Sequence, residues 1–287
     1  MPMNSFGDWW KLARLEHAFL VAAAIVAAEA LTAKSLAVSF SLFSFAVWFP
    51  VFGPFCITAA SFIFNDVQGL GSDRANHRIE RPLVSRRIRV SDALKASMFL
   101  YALGMLLALF VNAWAFGVAF VFAAFSLVYD SVLKKRPLLG NVFIASSMGI
   151  SFVYGNFVFS PVLQEYVFLF VAVSFFAGIG RELLITLRDV KGDAKEGMRT
   201  LPMLLGSVRT VRVSGALFLI ALLLTWIPLF QSFHHAYFLL IAMNHALVLY
   251  ALFLVVRSPS LAHLKKARNL TLLALGAGLL GFASLAL

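Results

Sequence analysis

The chain has 287 residues, of which 61% are hydrophobic and 13% charged, with a mean hydropathy of +0.90; a water-soluble domain, where about a quarter of residues carry charge, is excluded. The formal net charge of +11 would suggest nucleic acid in a soluble protein, but these basic residues sit between apolar runs, where membrane orientation and anionic lipid account for them and no nucleic-acid partner is implied. A single cysteine, Cys56, excludes a disulfide framework and a cysteine-based metal site.

In chain order, the N-terminal MPMNSFGDWWKLARLEHAFL carries acids and two Trp ahead of its apolar run and lacks a small-residue cleavage site. It reads as an interfacial lead-in with Trp9 and Trp10 at the headgroups, and not as a removable signal. Apolar segments of spanning length, roughly 17 to 25 residues, follow at 17–33, 37–64, 93–111, 113–129, 141–160, 165–187, 210–230, 236–256 and 269–286. The sequence therefore predicts an all-α membrane protein with nine transmembrane helices. An N-terminus inside and a C-terminus outside leaves only Lys34 of the 24 Lys and Arg on the outer face, as the positive-inside rule requires. The polar interruptions at 65–92, 130–140, 188–209 and 257–268 then all face the cytoplasm, and any chemistry belongs to that side of the cell membrane. Two of them, after the second and the sixth predicted span, open with acids before turning basic. That spacing predicts one domain over 1–287, built as two parallel four-helix halves, about 1–130 and 131–256, with a last helix added.

The first acidic stretch is FNDVQGLGSDRANHRIERPL, Phe64 to Leu83. Asn65, Asp66 and Asp73 project within about 100° of one another if the helix runs past Asn65, a continuation that Gly69 and Gly71 weaken. Pro82 ends the run near Arg81. The second stretch is GRELLITLRDVKGDAKEGMRTLP, Gly180 to Pro202, in which Glu182, Asp189 and Asp193 fall within an arc of about 40°, with Thr186 on the same stripe. Gly192 and Gly197 predict fraying around Asp193. Acids at the end of a membrane helix are costly unless paired or metal-bound, although any one of these carboxylates also reads as a solvated loop charge. Oxygen ligands without His or Cys nearby fit a hard ion such as magnesium, completed by water and substrate phosphates. Arg78, Arg81, Lys134, Lys135 and Arg199 share the face of the acids and supply the donors that a phosphate or diphosphate needs. The apolar interior suits a long apolar tail. His77, His234 and His235 read as loop histidines, and Ser151 and Asn156 as hydrogen bonders between helices.

Three motifs, NDxxxxxxDxxNxxxxRP from Asn65 to Pro82, YDSVLKKRPLLGN from Tyr129 to Asn141 and RELLxxLRDVKGDxxxGMRTLP from Arg181 to Pro202, resemble in their order those of the UbiA-type intramembrane prenyltransferases, over nearly the whole chain. Gly140, Asn141 and the GDxxxGMRTLP ending look most like the archaeal branch that attaches a second geranylgeranyl chain to geranylgeranylglyceryl phosphate. The resemblance implies a magnesium-dependent prenyltransferase in which Asn65, Asp66, Asp73, Glu182, Asp189 and Asp193 hold Mg2+ against a prenyl diphosphate, the four aspartates being catalytic. It implies diphosphate contacts from Asn65, Arg78, Arg81, Tyr129 and Lys134, which Arg199 joins by its place on the same face. Two departures stand out. The family usually reads NDxxDxxxD and here the middle acid is Gly69; Ile185 and Thr186 stand where the related branch often has Lys and Asp.

Cations and arginines that stabilise charge on a leaving diphosphate lower the barrier to breaking an allylic carbon–oxygen bond. The resulting carbocation needs protection from water, and aromatic faces can stabilise it; Tyr129, Phe152 and Tyr154 are the candidates, Tyr129 first among them. The expected substrates are a prenyl diphosphate, best geranylgeranyl diphosphate, and a lipid acceptor, best geranylgeranylglyceryl phosphate, within the membrane lipid. Alternatives are an aromatic, quinone-type acceptor or a UbiA-type terpene cyclase, which the missing acid at Gly69 motivates. A transporter is the non-enzyme alternative, but it would place its polar site near the bilayer midplane.

Overall fold

The computed structural model describes residues 5–286 apart from 76, 130–137, 196 and 198. Every regular element in it is helical, in the order α1 (Phe6–Ala13), α2 (Leu15–Ser35), α3 (Phe45–Gln68), α4 (Leu70–Ala75), α5 (Val90–Leu109), α6 (Ala113–Val128), α7 (Leu139–Phe159), α8 (Glu165–Lys195), α9 (Leu201–Leu224), α10 (Ile227–Gln231), α11 (His235–Arg257) and α12 (Leu261–Ser284). Among the described residues eight helices are long and apolar enough to cross a membrane, α10 continuing the span that α9 begins, and the apolar α6 is shorter at 16 residues.

The helix ends depart from the apolar runs for local reasons. Residues 36–44 are apolar but serine-rich, and α3 starts only at Phe45, where Ser44 Oγ accepts the Ala46 amide at 3.3 Å; such side chains offer the backbone an alternative to the helix. At the other extreme α8 runs on to Lys195 and α12 begins at Leu261, capped by Ser260. Hydropathy marks the stretch that lipid covers, whereas Lys, Arg and Glu continue a helix beyond it at little cost. A kink at Gly206 (φ 74) divides α9 near its start.

Apart from the short α4 and α10, helices consecutive in sequence pack as neighbours from α2 round to α12, which closes against α2 and α8, while α2 also crosses to α7. Lipid offers no hydrophobic gain for such contacts, so small residues set them by letting backbones approach. A Cβ on Gly104 of α5 would meet the Gly53 carbonyl of α3 at 2.7 Å, and one on Gly155 of α7 would meet the Ile25 carbonyl of α2 at 2.5 Å. Pro54 inside α3 leaves the Pro50 carbonyl without its amide partner. Tyr154 Oη of α7 donates to that carbonyl at 3.0 Å, which satisfies it within the bundle. Asn156 bonds as the sequence predicts, donating to the Ser160 and Val162 carbonyls and accepting from Thr32 Oγ1 of α2.

Candidate active site

The last turn of α3 carries Asn65 and Asp66. Gly69 then caps the helix, its amide bonding to the Asn65 carbonyl at 2.8 Å, and the chain restarts as the short α4, which carries Asp73. Both aspartates are buried, with 4% and 3% of their surface exposed. Arg14 Nη2, at the start of α2, donates to Asp66 Oδ1 at 3.0 Å. Arg81 Nη1 reaches Asp66 Oδ1 at 3.0 Å and Asp73 Oδ2 at 2.5 Å, and Arg78 Nη1 donates to Asp73 Oδ1 at 3.2 Å. Three arginines from two parts of the chain thus hold two carboxylates in place, as charges withdrawn from water require.

The second acidic stretch is built differently. The predicted fraying around Gly192 does not occur: α8 continues through Lys195, so Glu182, Asp189 and Asp193 all lie on one helix, and the left-handed Gly197 (φ 69) follows its end. A helix projecting from the membrane keeps its backbone bonds, and one Gly costs it only about 1 kcal/mol. Arg188 grips its neighbour Asp189 through Nε at 2.8 Å and Nη2 at 2.5 Å. Thr186 Oγ1 donates to the Glu182 carbonyl at 2.8 Å and accepts from Asn141 Nδ2 at 3.2 Å, which ties the third motif to the second.

The two stretches meet. Asn65, Asp66 and Asp73 on one side and Glu182, Asp189 and Asp193 on the other line a single cavity of about 1400 Å³. Arg78, Arg81, Tyr129 and Arg199 line it as well, Tyr129 stacking on Phe143 with ring centroids 5.0 Å apart. Lys134 lies outside the described residues. Along α3 the lining continues from Asp66 back to Pro54, about 18 Å at 1.5 Å per residue, and the far wall includes Ala24, Phe152, Ile241 and Phe282. The cavity is acidic and basic at one end and apolar at the other. His77 is exposed and takes no part in the lining.

Among the described residues no three acids or histidines converge closely enough to hold a metal ion by themselves. The donor set is nonetheless all oxygen and divided between two walls, which fits a magnesium ion that shares its shell with a phosphorylated ligand better than one caged by protein alone. Three residues escape a reading of the sequence. Arg14 and Arg181 count there as orientation charges, yet Arg14 pairs with Asp66 and Arg181 is buried in the cavity wall. Glu29 is fully buried in mid-α2 with neither carboxyl oxygen bonded to a described residue; an acid inside an apolar run was the available signal.

A family model described as the UbiA prenyltransferase family matches residues 18–284. Digeranylgeranylglyceryl phosphate synthase of Archaeoglobus fulgidus is 29% identical over 280 residues, covering 95% of this chain and 93% of that one. A solved digeranylgeranylglyceryl phosphate synthase superposes with a TM-score of 0.76 at 25% identity, covering 99% of each chain. A UbiA homolog from Archaeoglobus fulgidus bound to GPP and Mg2+ has the same fold, with a TM-score of 0.64 at 17% identity and coverage of 98% and 100%.

Proposed function

The chain belongs to the UbiA prenyltransferase family, and from that premise we propose that it transfers an isoprenyl group, best geranylgeranyl, from a prenyl diphosphate to a glyceryl phosphate lipid, best geranylgeranylglyceryl phosphate. It is an intramembrane prenyltransferase acting on a prenyl diphosphate. The observation that carries the reading is the meeting of two carboxylate patches, distant in sequence, around the mouth of one cavity whose other end is apolar. The names of its relatives favour a lipid acceptor over an aromatic one. Nine helices crossing the membrane, two parallel halves of four with one added, and an N-terminus in the cytoplasm place that mouth at the inner leaflet, where Arg and Lys collect.

In this reading Asn65, Asp66, Asp73, Glu182, Asp189 and Asp193 hold Mg2+, which when bound neutralises charge on the diphosphate. Arg78, Arg81, Arg199 and the Tyr129 hydroxyl orient the diphosphate, with Lys134 joining them. Their donors stabilise the charge that grows as the allylic carbon–oxygen bond breaks more than the charge present before it breaks, which is what accelerates the step. The bond electrons leave with the diphosphate. The prenyl tail lies in the apolar end, where Phe152 and its neighbours exclude water from the carbocation. The acceptor hydroxyl oxygen then bonds to the allylic carbon, and its proton passes to the departing diphosphate.

The test is to incubate the purified protein with Mg2+, prenyl diphosphates of several lengths and a panel that includes geranylgeranylglyceryl phosphate and 4-hydroxybenzoate, and to weigh the products. Diphosphate release coupled to a prenylated glyceryl phosphate is expected. A hydrocarbon or terpene alcohol formed without acceptor would replace the transferase with a cyclase, the reading that Gly69 favours.

A further inference from the structure

Arg181 sits on α8 two turns before Asp189, about 12 Å farther into the bundle. It is 9% exposed and lines the cavity, and its enclosed Nε has no hydrogen-bond partner among the described residues. The neighbouring arginines each pair with a carboxylate, Arg14, Arg78 and Arg81 with Asp66 or Asp73 and Arg188 with Asp189. No ion pair among the described residues engages Arg181, not even with Glu182 beside it, nor does any engage Lys265 or Arg268. Lys265 and Arg268 line the same cavity from the opening turns of α12, which packs against α8 and α2. The charge of Arg181 acts first on Glu182 beside it and then on Arg268, and both arginines act, after Glu16 and Arg14, on the ring of His17 in α2. Helices α2, α8 and α12 thus gather basic groups along one side of the cavity, with Glu16 and Glu182 beside them.

An enclosed guanidinium whose charged neighbour, Glu182, forms no ion pair with it is costly inside a membrane protein. It becomes favourable when an anion arrives, and the planar Arg fork matches phosphate oxygens two at a time. We propose that Arg181, with Arg268 and Lys265, forms a second anion subsite that holds the phosphate of a phosphorylated lipid acceptor; the inference rests on the prenyltransferase reading and assigns the acceptor's headgroup within it. The acceptor is thereby fixed by its phosphate on the α8–α12 side and the donor by its diphosphate at the acids. The two headgroups are kept apart while their tails share the apolar end.

The experiment measures KM for geranylgeranylglyceryl phosphate, for its dephosphorylated counterpart geranylgeranylglycerol, and for geranylgeranyl diphosphate in the wild type, Arg181→Gln, Arg181→Lys and Arg268→Gln. In Arg181→Gln the acceptor KM should rise about tenfold or more, as expected for loss of a hydrogen bond to a charged group. Its preference for the phosphorylated acceptor should fall toward one, with the diphosphate KM within twofold of wild type. Arg181→Lys should recover part of that preference, and Arg268→Gln, at an exposed position, should weaken it without loss of the fold. An unchanged preference in Arg181→Gln and Arg268→Gln overturns the subsite, as does a rise in diphosphate KM instead. If the variants are inactive, diphosphate release without acceptor decides: its retention supports the subsite, its loss assigns Arg181 to the donor and overturns it. A wild type that releases no diphosphate from any prenyl donor sinks the parent reading instead, and does so before any variant is made.

Discussion

The two acidic stretches reach one cavity by opposite means. Asp66 sits in the last turn of α3 and Asp73 on the short α4, divided at Gly69, and both are fixed by arginines from up to 52 residues away along the chain. Glu182, Asp189 and Asp193 need no such help, because one uninterrupted helix sets their spacing. The first patch is a charge network that should help to hold the fold together; the second is a ridge whose geometry should survive the loss of any single charge. Chemistry and stability should therefore separate at one patch and move together at the other.

The sharpest way to break that contrast is Asp66→Ala against Asp189→Ala. Both should lower turnover by about a hundredfold or more if the carboxylates stabilise charge in the transition state. Only Asp66→Ala should also destabilise the protein, by about 3 kcal/mol, since it strands Arg14 and leaves Arg81 with Asp73 alone near a buried site; that is the low end of the range because both arginines keep roughly a quarter of their surface in water. The Asp189 side chain is 32% exposed and among the described residues pairs only with its neighbour, so its removal should cost under about 1 kcal/mol. Thermal denaturation in detergent beside a diphosphate-release assay reads both quantities. Equal destabilisation by the two substitutions would erase the distinction. Chelation of Mg2+ should abolish turnover in the wild type while the melting temperature in the absence of substrate stays constant, since the described acids do not cage an ion on their own.

The sequence discloses this architecture unevenly. Hydropathy finds the apolar runs because burying or exposing a backbone in lipid leaves few options, and the acids stand out against them. It misplaces the start of α3, where Ser44 rather than apolar content decides, and it reads Gly192 as a break where the helix holds. Arg14 and Arg181 are invisible for a different reason. The positive-inside rule explains every cytoplasmic basic residue equally well, so a count of charges cannot separate those that orient the chain from those that pair with Asp66 or line the cavity. Only the packing of α2, α8 and α12 makes that distinction.

The seats of the two acid-bearing helices offer a smaller contrast. Helix α3 rests on α5 through Gly53 and Gly104, where an added Cβ on Gly104 would lie 2.7 Å from a carbonyl oxygen and 2.7 Å from Ile57. Helix α8 rests on α9 at Gly180, where the nearest atoms are a Phe218 ring carbon at 3.0 Å and the Ser214 carbonyl at 3.1 Å. A ring turns aside more readily than a backbone, so Gly104→Ala should cost about 2 kcal/mol or more and Gly180→Ala about 1 kcal/mol, within the range for overpacked sites. Because Asp66 depends on the arginines that face it, the shift of α3 should lower turnover as well, whereas Gly180→Ala should leave it within a fewfold of wild type.

The smallest effect is expected where the first patch lacks an acid. Gly69 lines the cavity with a φ of −81°, which any residue adopts, and a Cβ there meets only the Asn65 carbonyl, at 3.1 Å. Gly69→Asp is therefore tolerated by the backbone and adds a third carboxylate beside Asp66 and Asp73. If that patch shares a magnesium ion with the diphosphate, the new oxygen should lower the Mg2+ concentration for half-maximal turnover by a fewfold, with the product unchanged. The added charge must compete for Arg81, already divided between two aspartates, which holds the gain to that size. A shift of products from prenylated acceptor to hydrocarbon, or the reverse, would show instead that this position governs the fate of the carbocation and not only the grip on the metal.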